Sequence, residues 1–145
     1  MNKEIYDILD YYIPNPKCEL DYNSPFELLI ATILSAQCTD KRVNIVTKEL
    51  FKKYDINSLA SASKKDIEDI IRSCGSYSKK SEYIITVSKR LLIDYNGIVP
   101  NDRKYLESLP GVGRKTTNVV LKNIYNEPSI PVDTHVERVS KRLGF

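Results

Sequence analysis

Hydrophobic positions recur every three or four residues along most of this chain, a spacing typical of helices that bury one face. The predicted inward faces are Ile5, Leu9, Tyr12 and Ile13; Val43, Val46, Leu50 and Phe51; Ile67, Ile70 and Ile71; and Ile84, Val87, Leu91 and Leu92. The segment 28–34 is apolar almost all round, which predicts a central buried helix. No strand-like alternation stands out, so we predict an all-α class, with one multi-helix domain over residues 1–145.

Boundary residues support these helices. Ser24 is a predicted cap, followed by Pro25 in the first turn and Glu27 at the third position. Asp40 is expected to begin and cap the next helix, and Ser63 to Asp66 reads as a further capping box. The remaining predicted boundaries are Asn2, Pro14, Gly75, about Lys79, Asn96-Gly97 and, for a last helix, about Asp133.

Composition is that of a soluble globular protein, with 41% hydrophobic and 28% charged residues among 145. No apolar run reaches the roughly 18 residues of a membrane span, and the N-terminus lacks the apolar core of a signal peptide. Cys18, Cys38 and Cys74 form no Cys-x-x-Cys pair, which supports neither a disulfide framework nor a zinc site. We therefore expect an intracellular protein: cytoplasm or nucleoid in a bacterium, nucleus or organelle in a eukaryote.

Charge is unevenly distributed. Residues 1–72 carry 10 Lys and Arg against 12 Asp and Glu, whereas residues 73–145 carry 12 against 7. The basic half suggests a polyanionic partner such as nucleic acid, although a solvated basic surface would have the same composition.

A glycine-containing turn, Leu109-Pro110-Gly111-Val112-Gly113, lies in this basic half. It follows a short helical run, 102–108, and opens a longer one, 114–125. Pro110 cannot continue the first helix, and both glycines permit backbone angles that side chains forbid. The free amides of the second helix would form a phosphate site, although the turn could equally be a packing corner. A P-loop is excluded, because Arg114 separates Gly113 from Lys115.

The complete string Leu-Pro-Gly-Val-Gly-Arg-Lys-Thr resembles the helix-hairpin-helix motif of the endonuclease III family of DNA glycosylases, here at 102–125. Two further strings match in the family's order. One is Leu34-Ser35-Ala36-Gln37 with Thr39-Asp40, and the other is Val132-Asp133-Thr134-His135-Val136. The resemblance implies a base-excision repair enzyme that binds damaged double-stranded DNA.

Lys115 and Asp133 are the candidate catalytic residues. From the residues alone, Lys115 could be a phosphate contact or a nucleophile, and Asp133 a helix cap or its partner. The resemblance implies that Lys115 attacks the sugar and that Asp133 assists. A nucleophilic amine must be neutral, whereas lysine has a reference pKa near 10.4 and catalytic lysines titrate at about 7–8. Burial, the positive helix end and Arg114 are expected to favour the neutral form.

The other candidate site residues would contact DNA. By resemblance, Gln37 enters the space left by an extruded nucleotide. The predicted phosphate contacts are Gly111, Val112, Gly113, Arg114 and Thr116. The family often has a bulky apolar residue after the glycine that matches Gly75, but this chain has Ser76 and then Tyr77. His135 is interpreted as structural, and no metal site is predicted.

Family members usually end in a four-cysteine [4Fe-4S] segment, which the cysteines of this chain do not match. The chain therefore resembles a C-terminally truncated member with no cofactor of its own, and the face of Ile5, Leu9 and Ile13 is expected to be under-covered. We predict a monomeric glycosylase and abasic-site lyase acting on oxidised pyrimidines. The alternatives are a mismatch-directed thymine or uracil glycosylase and a non-catalytic helix-hairpin-helix module.

Overall fold

A computed structural model describes residues 19–125, in which helices are joined by short turns and no strand occurs. The helices are α1 (Pro25–Leu34), α2 (Asp40–Lys53), α3 (Ile56–Ala60), α4 (Lys64–Ile71), α5 (Tyr77–Tyr95), α6 (Arg103–Glu107) and α7 (Arg114–Tyr125), with a 3-10 helix at Arg72–Cys74. The all-α prediction is confirmed. The predicted N-terminal helix and the one expected near Asp133 lie outside the described residues.

The central helix is α1, as its composition predicts. Every residue from Leu28 to Leu34 is buried. Because its whole circumference is apolar, α1 can pack against α2, α5 and α7 at once. The long helix α5 contacts α1 and also packs against α3 and α4. Helix α7, which carries Lys115, is thus seated directly on the central helix.

Local capping fixes where the helices begin. Ser24 Oγ accepts a hydrogen bond from the Glu27 N–H at 3.1 Å, and Ser63 Oγ accepts one from the Asp66 N–H at 3.2 Å. Both caps were predicted. Helix α2 begins at Asp40, as predicted, but Asp40 is not its cap: Thr39 Oγ1 accepts a hydrogen bond from the Arg42 N–H at 3.2 Å.

Two other boundaries differ from the predictions. The short helix α3 was not predicted, because five residues are too few to show helical periodicity; Asp55 and Ser58 cap it reciprocally. Helix α5 begins at Tyr77 instead of about Lys79, after a left-handed Ser76 that makes no side-chain cap. Among residues 19–125, no helix is both long and apolar enough to cross a membrane.

Candidate DNA-binding and catalytic site

The turn between α6 and α7 depends on one glycine more than on the other. Gly111 has a φ of +78°, and a Cβ on it would lie 2.6 Å from Cδ2 of Tyr83 on α5. Both the backbone angle and the close approach therefore require glycine. Gly113 is different: its φ is outside the left-handed region, and an added Cβ would meet nothing within 4 Å. Of these two glycines, only Gly111 uses a backbone angle that side chains forbid, and Gly113 borders open space.

Hydrophobic side chains hold this turn against the core. Leu109 and Val112 are 2% and 5% exposed. The Val112 N–H donates to the Leu109 carbonyl at 3.1 Å, so Val112 has neither a free amide nor an exposed side chain to offer a phosphate in this conformation. Its observed contribution is to anchor the turn.

The start of α7 presents unpaired donors next to cationic side chains. Among the described residues, the N–H groups of Gly113, Arg114, Lys115 and Thr116 have no hydrogen-bond acceptor. The Arg114 and Lys115 side chains are exposed, and that of Thr116 is half-buried. Unpaired amides, the helix dipole and two cations together make this end attractive to a phosphate.

Lys115 also lies near the start of α2. Partial burial of the Asp40 carboxyl and repulsion by Glu19 raise the pKa of Asp40. The nearby Lys115 ammonium lowers that pKa. The Gln37 loop, which we define as Ser35–Thr39, leads directly into this helix start. The fold therefore brings the predicted nucleophile and the predicted inserting loop to the same side of the molecule. The Lys115 side chain is exposed in the unbound protein, so the burial predicted for it is not observed there.

Gln37 and Ser76, like Asn96 at the end of α5, are exposed residues with left-handed backbones. Gln37 has a φ of +57° and Ser76 a φ of +46°, both uncommon for residues other than glycine. Tyr77, by contrast, is half-buried against the core, with the Arg72 guanidinium 4.9 Å from its ring centroid. Of Ser76 and Tyr77, Ser76 is thus the one with the exposed side chain.

The sequence reading missed two residues that shape the site. Tyr83 sets the close contact at Gly111, and Lys80 is buried between the two loops. Neither has a local signal, because Tyr83 sits in an ordinary helical pattern and lysine is normally a surface residue. Asp133 and His135 lie outside the described residues.

A resident metal or cluster finds no fitting ligands in the part of the chain that the structure describes. Over residues 19–125, no group of three or more His, Cys, Asp or Glu side chains could hold a metal ion. Cys38 and Cys74 are free thiols, and two thiols do not match a four-cysteine cluster.

Known proteins resemble both the sequence and this arrangement. Residues 30–145 match the family described as HhH-GPD superfamily base excision DNA repair protein. The endonuclease III of Bacillus subtilis (strain 168) is 51% identical over 133 residues, covering 91% of this chain and 61% of that protein. This chain thus spans less than two thirds of that relative's length.

Solved structures agree. A non-covalent endonuclease III–DNA complex matches with a TM-score of 0.79 and 50% identity, covering 98% of this chain and 67% of that one. A trapped endonuclease III–DNA covalent intermediate, an estranged-adenine complex, matches with a TM-score of 0.79 and 48% identity, covering 99% of this chain and 70% of that one.

Proposed function

Because the chain belongs to the endonuclease III family within the HhH-GPD superfamily of base excision DNA repair proteins, we propose that it excises oxidised pyrimidines from duplex DNA and cleaves the resulting abasic site. The observation that carries this proposal is the placement of Lys115, an exposed amine in the first turn of α7, beside amides that have no partner within residues 19–125. The protein would act as a monomer inside the cell.

The proposed reaction begins with phosphate binding. The amides of Gly113 to Thr116 and the Arg114 guanidinium would hold a backbone phosphate, while the target nucleotide turns out of the stack. Gln37 would enter the vacated space, because its loop lies on the side of the molecule that carries Lys115. Bound DNA would then exclude water from Lys115, supplying the burial that the free protein lacks.

The chemical steps follow from a neutral lysine amine. Lys115 Nζ forms a bond to the sugar C1′ as the glycosidic bond breaks, and the base leaves with the bonding electrons and takes up a proton. Loss of a proton from nitrogen and ring opening give an imine. Removal of a C2′ proton expels the 3′ phosphate by β-elimination, and water then hydrolyses the imine to release Lys115. Asp133 stays the predicted partner that stabilises positive charge at the sugar.

Borohydride trapping on a duplex with one abasic site tests the role of Lys115. We expect a covalent adduct with the native chain and none with Lys115→Ala or Lys115→Arg. The arginine variant retains the positive charge, so it separates a nucleophile from a phosphate contact: the duplex should still bind without forming an adduct. Trapping that persists in Lys115→Arg would contradict the proposal.

The substrate requires a separate comparison. We expect release of an oxidised pyrimidine from duplex DNA and no release of thymine or uracil from a mismatch with guanine. The reverse preference would favour the mismatch-directed alternative. Binding to the abasic duplex without adduct formation by the native chain would indicate a non-catalytic module.

A further inference from the structure

Lys80, on α5, is a buried lysine that the reaction above does not use. Its residue is 4% exposed, although lysine is almost never buried without partners. A buried cation is tolerated only when its hydrogen-bonding groups are satisfied. The partners of Lys80 should therefore show what it contributes.

All three partners are backbone carbonyls. Lys80 Nζ donates to the Leu34 carbonyl at 3.0 Å, to the Ala36 carbonyl at 2.7 Å and to the Cys74 carbonyl at 2.8 Å. A lysine ammonium has three N–H donors, so these bonds use its full capacity. None of the ion pairs found in residues 19–125 involves Lys80. The side chain is thus committed to main-chain atoms of two separate segments.

These carbonyls border two of the turns that contain left-handed residues. Ala36 immediately precedes Gln37 (φ +57°), and Cys74 immediately precedes Gly75 and Ser76 (φ +72° and +46°). The Lys80 N–H also donates to the Ser76 carbonyl at 2.9 Å. Strained backbone angles persist where surrounding structure fixes them, and here one residue contacts both of these turns.

We infer that Lys80 is a positioning residue that holds the Gln37 loop and the Gly75–Ser76 turn as one rigid unit, so that both enter the DNA at a fixed separation. The inference rests on the proposed function for its purpose. Loops that fill the space of an extruded nucleotide act best when they are already ordered, since ordering them on binding would weaken insertion. Loss of Lys80 should therefore impair insertion and leave the chemistry of Lys115 intact.

The test measures insertion without chemistry. A duplex carries a tetrahydrofuran abasic analogue, which cannot form an imine, opposite 2-aminopurine, whose fluorescence rises when it is unstacked. We expect the native chain to raise the fluorescence at saturating protein. Lys80→Met, which keeps the length but has no donor, should lose most of that rise. Lys80→Gln, with two N–H donors, should lose less, and it replaces the methionine variant if that one does not fold.

Two controls separate positioning from general destabilisation. Lys89→Met changes an exposed lysine on the same helix, and Leu59→Val removes a methylene from the fully buried contact of α3 with α5. Both should retain the native fluorescence rise. A rise retained in folded Lys80→Met, or lost equally in Leu59→Val, would overturn the inference.

Trapping on a single-stranded oligonucleotide with a natural abasic site keeps the two proposals apart. Because no stacked partner must be displaced, we expect Lys80→Met to form as much adduct as the native chain there. Absence of adduct with the native chain on the abasic duplex would refute the role of Lys115 while leaving the fluorescence result to judge Lys80. Absence of any fluorescence rise with the native chain would refute loop insertion, and with it the role of Lys80.

Discussion

Gly111 and Gly113 are equivalent in the sequence motif, but their surroundings give them different roles. Gly111 is held by a left-handed φ and by the Tyr83 ring, whereas the space beside Gly113 is open. Gly111 is therefore required by the folded structure of the turn. Gly113 leaves open space that a phosphate oxygen could occupy.

Alanine at each glycine should separate stability from DNA binding. Gly111→Ala should lower the free energy of unfolding by at least about 1–2 kcal/mol, because a side chain is strained at that angle and its Cβ would also clash with Tyr83. Gly113→Ala should change it by less than about 0.5 kcal/mol, yet weaken binding to an abasic duplex, because the methyl group occupies the phosphate's space. Urea unfolding and fluorescence anisotropy measure the two quantities. If Gly113→Ala bound the abasic duplex with native affinity, no phosphate would lie beside Gly113.

The Cys74 thiol should be inert in the folded protein. Burial, helped by the neighbouring Cys38, raises the pKa of Cys74 to about 12. Since only the thiolate is alkylated, iodoacetamide at pH 8 should modify the half-buried Cys38 faster than the buried Cys74. Peptide mass spectrometry distinguishes the sites, and urea should equalise them. Because folding raises the pKa of Cys74, the protonated thiol favours the folded state. This contribution to stability is fully present below the ordinary pKa of cysteine and is lost as the pH rises towards 12.

Side-chain contacts hold the short helix α6 against α5. Tyr105 Oη donates to Asp94 Oδ2 at 2.8 Å, and its ring lies edge-on to that of Tyr95 with centroids 4.6 Å apart. Arg90 Nη1 donates to the Ser108 carbonyl at 3.0 Å. A five-residue helix is marginal alone, so these contacts hold the first half of the hairpin in place.

Removing the Tyr105 hydroxyl should lower the stability of the folded protein measurably. Tyr105→Phe should lower the free energy of unfolding by about 1 kcal/mol, because it deletes one hydrogen bond to a carboxylate that is partly exposed. Tyr83→Phe is the matched control, since the Tyr83 hydroxyl has no hydrogen bond with any described residue. Thermal unfolding compares them. Equal losses in both variants would show that the Asp94 bond contributes nothing.

The sequence predicts elements well where the signal is local. The caps at Ser24 and Ser63 follow from a hydroxyl three residues before a free amide, and the burial of α1 follows from its apolar run. Lys80 could not be found in this way. Its bonds to Leu34 and Ala36 cross 46 and 44 residues, so its role exists only once α1 and α5 are packed.

Within residues 19–125, helices from the acidic half of the sequence pack against helices from the basic half. Helix α1, from the acidic half, packs on α7 from the basic half, and α5 contacts α3 and α4. The net charge of either half therefore says little about where DNA would lie. The electrostatic argument for DNA has to be made for individual side chains.

The salt dependence of binding provides that argument. Each phosphate contact releases counterions, so removing one cation that touches a phosphate should reduce the slope of log K against log salt by about one. We expect this for Arg114→Ala on an abasic duplex. Lys52→Ala, an exposed lysine near the C-terminal end of α2, should leave the slope unchanged. If both variants lowered the slope equally, DNA binding would follow overall charge. A loss confined to Arg114 would place a phosphate at the start of α7, within reach of the Lys115 amine.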